Sequence, residues 1–124
     1  MIPTLNFFCY RAKLIAVVDG DTADLLVDLG FHVTVSLRFR LFGVDAPEKR
    51  GAASVAGKAA QDALEALLRG ANEIVVETMK DKTEKYGRFL ARIYVRPVAG
   101  APWIDVNAVM IEQGHATAYE GGAR

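Results

Sequence analysis

Two turn signals, Asp19-Gly20-Asp21-Thr22 and the Gly30 region, cut an apolar and often alternating stretch that runs from Tyr10 to Val44. Alternation with a period of two sends successive side chains to opposite faces of an extended chain, where a helix would repeat every three or four residues. Asp and Gly supply the backbone conformations that tight turns demand. The spacing therefore predicts three antiparallel strands, Tyr10 to Val18, Thr22 to Leu29 and His32 to Val44, sharing their middle member.

From Ser54 to Arg69 the period changes. Val55, Ala59, Ala63, Leu64, Leu67 and Leu68 recur near helical spacing, Ala and Gln raise helix propensity, and Gly70 follows as a stop. Glu73 to Lys80 and Arg88 to Pro97 read as two further strands joined by the charged segment Asp81 to Gly87, and a short helix is expected from about Trp103 to Gln113, closed by Gly114. Five strands with a helix between the third and fourth match the order of an OB-fold: a mixed α+β, mainly β chain built as a five-stranded antiparallel barrel with two helices.

With 124 residues the chain is long enough for one compact domain, 1–124, and too short for two ordinary ones. A hydrophobic fraction of 52% with 24% charged residues belongs to a folded protein. The mean hydropathy of +0.16 points to some apolar surface covered by a partner. Fifteen basic and fifteen acidic residues cancel, so any attraction for phosphate has to be local. The single Cys9 is expected as a buried thiol, and no Cys/His spacing of a zinc site is present. No apolar run approaches the roughly 18 residues of a membrane span, and the N-terminus lacks the pattern of a secretory signal, so a cytoplasmic location is expected.

Four short segments carry chemical possibilities beside plain structural ones. Asp19-Gly20-Asp21-Thr22 is either a tight turn or a place where Asp21 offers a carboxylate to a hard cation while Asp19 and Thr22 brace it. In Leu37 to Val44 a period of two sets Arg38 and Arg40 opposite Leu37, Phe39 and Leu41, as a solvated strand face or with Arg40 forking onto a phosphate. Asp45-Ala46-Pro47-Glu48 places two carboxylates across a proline-stiffened turn, suited to an open divalent-metal site. Lys85-Tyr86-Gly87-Arg88 either starts a strand or supplies a second guanidinium. Tyr86 and Tyr119 are structural tyrosines or surfaces on which a base stacks. His32 and His115 read as ordinary surface or satisfied residues.

In order and spacing, Ile15 to Thr22, Arg40 to Glu48, Lys85 to Arg88, and Val106-Asn107 through Gln113-Gly114 together resemble the staphylococcal nuclease family from about Lys13 to Tyr119. The resemblance implies one Ca²⁺ held by Asp21, Asp45 and the main-chain carbonyl of Ala46, with Glu48 reaching it or its water. Family members often carry threonine at the Ala46 position, and a backbone ligand tolerates alanine there. It further implies a water activated near Glu48 attacking phosphorus in line, with Arg40 and Arg88 stabilising the developing charge, and Lys85, Tyr86 and Tyr119 lining the nucleotide pocket. The implied activity is cleavage of DNA and RNA with 3′-phosphate ends.

Two departures from the family pattern stand out. The loop between Glu48 and the first helix is short and rich in Gly and Ala, and the family's third helix, expected after Tyr119, is missing from the sequence. An apolar extension, residues 1–10 with Phe7 and Phe8, is then expected to cover the exposed surface, within the chain or across a homodimer. The rival expectations are a non-catalytic OB-fold module that binds nucleic acid or peptide, and a small assembly subunit. Neither requires Asp21, Arg40, Asp45, Glu48 and Arg88 together.

Overall fold

The computed structural model describes residues 8–49, 51, 54–83 and 87–119. Strand β1 (Cys9–Asp19) turns into β2 (Thr22–Gly30), and β2 into β3 (Val33–Leu41). Both hairpins are antiparallel, with Ala12 opposite Val27 and Ala23 opposite Phe39. Gly30, Phe31 and His32 take left-handed φ values of 80°, 56° and 63°, which holds His32 in the turn instead of the strand. Gly43, at φ 75°, ends the third strand earlier than the pattern predicts and leaves Val44–Asp45 as a separate short strand, β4.

Helix α1 (Ser54–Arg69) occupies the predicted span, but its buried face differs. Gly57, Ala60, Leu64 and Leu68 are buried, while Val55 is 83% exposed and Ala59 is also exposed. Spacings of three, four and four make this a continuous helical stripe. Its first two members are small, so that end of the helix lies close to the chain beneath it.

Strands β5 (Glu73–Thr83) and β6 (Phe89–Arg96) form the third hairpin, and β5 takes in part of the charged segment predicted as a connector. β1 pairs with β5, and β3 closes the ring against β6 through Phe39–Phe89, Arg40–Leu90 and Leu41–Ala91. The predicted antiparallel order holds at every seam except this closing one, which is parallel. Directions cannot alternate all the way round a closed ring with an odd number of strands, so one parallel seam is obligatory.

The second helix is shorter than predicted. Ile104–Asp105 instead forms β7 against β6, and Asp105 Oδ1 accepts the Ala108 N–H at 3.2 Å, starting α2 (Val106–Glu112). Gly114 follows at φ 77°, and Thr117–Ala118 forms β8 on β4. Alternate residues of the barrel strands, among them Leu25, Phe39, Val76 and Ile93, fill the interior with Leu64 and Leu68 of α1 and Val106 and Met110 of α2. The architecture is an OB-fold: mainly β, a closed five-stranded barrel with two helices.

Cys9, expected to be buried, is exposed near the start of β1, where partial burial and the Glu77 carboxylate push its thiol pKa up. Phe8 joins the barrel, its carbonyl accepting the Thr78 N–H at 3.0 Å; residues 1–7 of the apolar extension lie outside the described residues. Among the described residues no helix is long and apolar enough to cross a membrane.

Candidate functional site

The β1–β2 turn, the end of β3 and β4 converge at one end of the barrel. Asp19 Oδ1 accepts the backbone N–H of Asp21 at 3.1 Å, a local bond that shapes the turn, and the Asp21 carbonyl accepts the Leu41 N–H at 2.8 Å. Asp21 is only 8% exposed. Its Oδ1 accepts the Thr22 hydroxyl at 3.0 Å and its Oδ2 the Ala46 N–H at 3.1 Å. Burial pushes the Asp21 carboxyl pKa above its ordinary value, and Asp19 adds to that rise through hydrogen bonding and charge. The Ala46 N–H and the Arg40 charge oppose it.

The two strand arginines part company. Arg38 lies on the surface, forked onto Asp24 at 2.8 and 3.1 Å, as a solvated strand face requires. Arg40, on the same strand face, is buried, and its Nη2 lies 3.6 Å from Asp21 Oδ2 and 3.5 Å from Asp45 Oδ1. The Tyr119 ring centre is 5.7 Å from the guanidinium carbon of Arg40. A second guanidinium reaches the same centre through one hydroxyl: Arg88 Nη1 donates to Thr22 Oγ1 at 2.9 Å, and Thr22 in turn donates to Asp21.

Asp45 is held by strand pairing. It lies opposite Thr117 in the β4–β8 ladder, and the Tyr119 N–H donates to the Gly43 carbonyl at 2.9 Å. Beside it a shallow cleft of about 200 Å³ is lined by Asp45, Ala46, Pro47 and the Gly114 to Thr117 turn. Glu48 is exposed at the far end of the segment. Lys49 Nζ donates to the Val18 carbonyl at 2.6 Å and fastens the segment to β1.

Thus Asp19, Asp21, Thr22, Arg40, Asp45, Ala46, Arg88 and Tyr119 come together, and Glu48, three residues after Asp45, is exposed. Lys85 and Tyr86 lie outside the described residues. Among the described residues no group of three or more His, Cys, Asp or Glu side chains is placed to hold a metal ion.

Three residues shape the site in ways the sequence did not assign: Gly20 was read only as a turn residue, Asn107 only as part of the family pattern, and Gly57 had no role. A Cβ on Gly20 would come within 2.6 Å of Ala60 Cβ and 2.8 Å of Ala46 Cβ, so this glycine lets α1 and the Asp45–Ala46 segment close on the turn. A Cβ on Gly57 would fall on the main chain of Glu48. Asn107, buried, accepts the Ile93 N–H at 3.1 Å and donates to the Phe42 and Ala91 carbonyls at 2.9 and 3.1 Å, joining α2 to β6 and to the turn after β3. A glycine within a helix of strong formers was the one available signal for Gly57.

Comparison with known proteins identifies the family. The family model described as staphylococcal nuclease homologue matches residues 38–123. Protein ParB of Escherichia coli is 39% identical over 112 residues, which make up 88% of this chain and 57% of that protein. Micrococcal nuclease of Shigella flexneri is 29% identical over 113 residues, 89% of this chain and 59% of that protein. The chain therefore spans a little more than half the length of these curated relatives. The family match covers well over half of this chain and takes in Arg40, Asp45, Arg88 and Tyr119 on an OB-fold barrel, and the chain belongs to the staphylococcal nuclease homologue family.

Proposed function

We propose that this chain is a calcium-dependent phosphodiesterase that hydrolyses DNA and RNA with little sequence preference and leaves 3′-phosphate ends. The observation that carries the reading is Arg40 Nη2 lying within 3.6 Å of both Asp21 and Asp45, with Arg88 joined to Asp21 through Thr22. These groups match a phosphate and a cation and offer no set of donors and acceptors that distinguishes one base from another.

The donor set fits a hard cation. Asp21 and Asp45 offer oxygens only, and the Asp21 charge is disfavoured by burial and by Asp19, a cost that a positive ion offsets. Asp21, Asp45 and the Ala46 carbonyl would hold Ca²⁺, whose shell of about six to eight oxygens leaves places for water and a substrate phosphate. When bound, the ion supplies electrostatic stabilisation of charge on the phosphoryl oxygens.

The chain's own residues do the rest. Arg40 and Arg88 donate hydrogen bonds to the phosphoryl oxygens, more strongly as charge builds on them in the transition state. Thr22 fixes the direction of Arg88. Glu48, exposed three residues after Asp45, accepts a hydrogen bond from the attacking water and aligns it. Tyr119, with Lys85 and Tyr86, flanks the nucleotide.

The test is cleavage of single-stranded DNA, duplex DNA and RNA by the purified chain with Ca²⁺, Mg²⁺ or EGTA. Activity should vanish on chelation and return best with Ca²⁺. Glu48→Gln, Arg40→Ala and Arg88→Ala should each lower the rate by about a hundredfold or more while leaving the circular-dichroism spectrum unchanged. A folded chain that binds oligonucleotides in Ca²⁺ without cutting them would make it a binding module instead.

A further inference from the structure

Gly57 stands in the middle of the first half of α1, where glycine weakens a helix relative to alanine. Its φ is not among the left-handed values of the described residues, so no backbone conformation explains the glycine. Contact does. A Cβ at this position would overlap the carbonyl group of Glu48 and come within 2.8 Å of Lys49 Cα, and all these neighbours are main chain. A flexible side chain could swing aside, but the Glu48–Lys49 backbone could yield only by moving as a segment. Its opposite side is also tied, through Lys49 Nζ and the Val18 carbonyl at 2.6 Å. The segment thus passes between helix and barrel, so near Gly57 that no side chain fits there.

We infer that Gly57 is a positioning residue for Glu48: the bare helix backbone is the stop against which the Glu48 main chain rests, and it sets how far the exposed carboxylate stands from the Asp21–Asp45 centre. Asp21 and Asp45 have holding contacts of their own, to Thr22, to the Ala46 N–H and in the β4–β8 ladder. Displacing Glu48 should therefore impair alignment of the attacking water while leaving binding of cation and phosphate nearly intact. The inference rests on the role given to Glu48 above.

The experiment is a double-mutant cycle between Gly57→Ala and Glu48→Gln, read as kcat, KM for an oligonucleotide and the Ca²⁺ concentration for half-maximal rate. Gly57→Ala should lower kcat by about tenfold or more, with KM and the Ca²⁺ requirement changed less than about threefold. In the Glu48→Gln background the same alanine should add no further loss. An unchanged kcat, an equal loss in both backgrounds, or a loss carried by KM or Ca²⁺ would overturn the inference.

If Gly57→Ala does not fold, Lys49→Ala releases the segment from its other side and should show the same loss of kcat, again absent in Glu48→Gln; an additive loss would overturn the inference. If the parent chain proves inactive, the proposed function fails by itself. The positioning is then read from amide chemical shifts, which should move in Gly57→Ala at Glu48 and Lys49 and stay in place at Asp21 and Ala46. Unmoved Glu48 and Lys49 signals would overturn it.

Discussion

At the scale of single residues, Asp21 shows how a site can oppose the stability of the domain that carries it. The folded chain holds the Asp21 proton more tightly than the unfolded chain, whose carboxyl keeps the ordinary value of 3.8. Between that value and the raised folded one, the unfolded state has already released a proton that the folded state retains. Stability is therefore lost as pH rises through this window, and the full cost remains above it. Without metal at pH 7, Asp21→Asn should melt at a higher temperature than the parent, with the advantage shrinking as the pH falls towards 4. Adding Ca²⁺ should reverse the order, because only the parent keeps the carboxylate. A less stable Asp21→Asn protein at pH 7 in EGTA would show that the burial cost has been misjudged. Thr22→Val removes the hydroxyl between Arg88 and Asp21 and should lower kcat by about tenfold, a cost typical of losing a hydrogen bond to a charged group.

At the scale of elements, Asn107 decides how α2 meets the barrel. Three bonds join it to Ile93, Phe42 and Ala91, and truncation leaves those buried backbone groups without their partner. Asn107→Ala should destabilise the domain by about 3 kcal/mol in urea unfolding, with an unchanged denaturant slope. The strands could be read from sequence because turn residues and a period of two are local signals. Even there, Phe31 and His32 adopt left-handed backbone angles in a turn that the pattern had assigned partly to a strand. The span of α1 was equally legible, while its buried face was not. That face follows what lies beneath the helix: Glu48 passes close to Gly57 and Gly20 close to Ala60, and both leave room only for small residues. The start of α2 was missed for a related reason: Ile104 and Asp105 find strand partners in Val95 and Tyr94, a contact made across the fold.

At the scale of the whole molecule, equal numbers of acidic and basic residues leave the site to attract phosphate unaided. Substrate affinity should fall with salt, with a logarithmic slope set by the few phosphates touched near Arg40 and Arg88. A slope corresponding to many phosphates would reveal a larger basic surface. Bound Ca²⁺ should also raise thermal stability by linkage, by about 2.7 kcal/mol at a hundred times its Kd, and Asp45→Ala should abolish that gain. That Asp21, Arg40, Asp45 and Arg88 lie near one another was legible in short motifs that keep their order and spacing, while Gly57 and Asn107 were not. Nor was depth. Arg38 and Arg40 are indistinguishable on an alternating strand, and only the closure of β3 against β6 and the arrival of Tyr119 separate a surface ion pair from a buried cation.

The short ladder between β4 and β8 joins Asp45 to a residue 72 positions later. During synthesis, Asp21, Arg40 and Asp45 leave the ribosome long before Thr117 and Tyr119, and until then β4 has no partner strand. A nascent chain therefore carries an incomplete Asp21–Asp45 centre while the messenger RNA that encodes it is still being read. Under the proposed function, chains stalled before residue 117 should not cleave RNA, whereas chains stalled far enough beyond residue 119 to expose it should, because pairing of β8 with β4 is what completes the site.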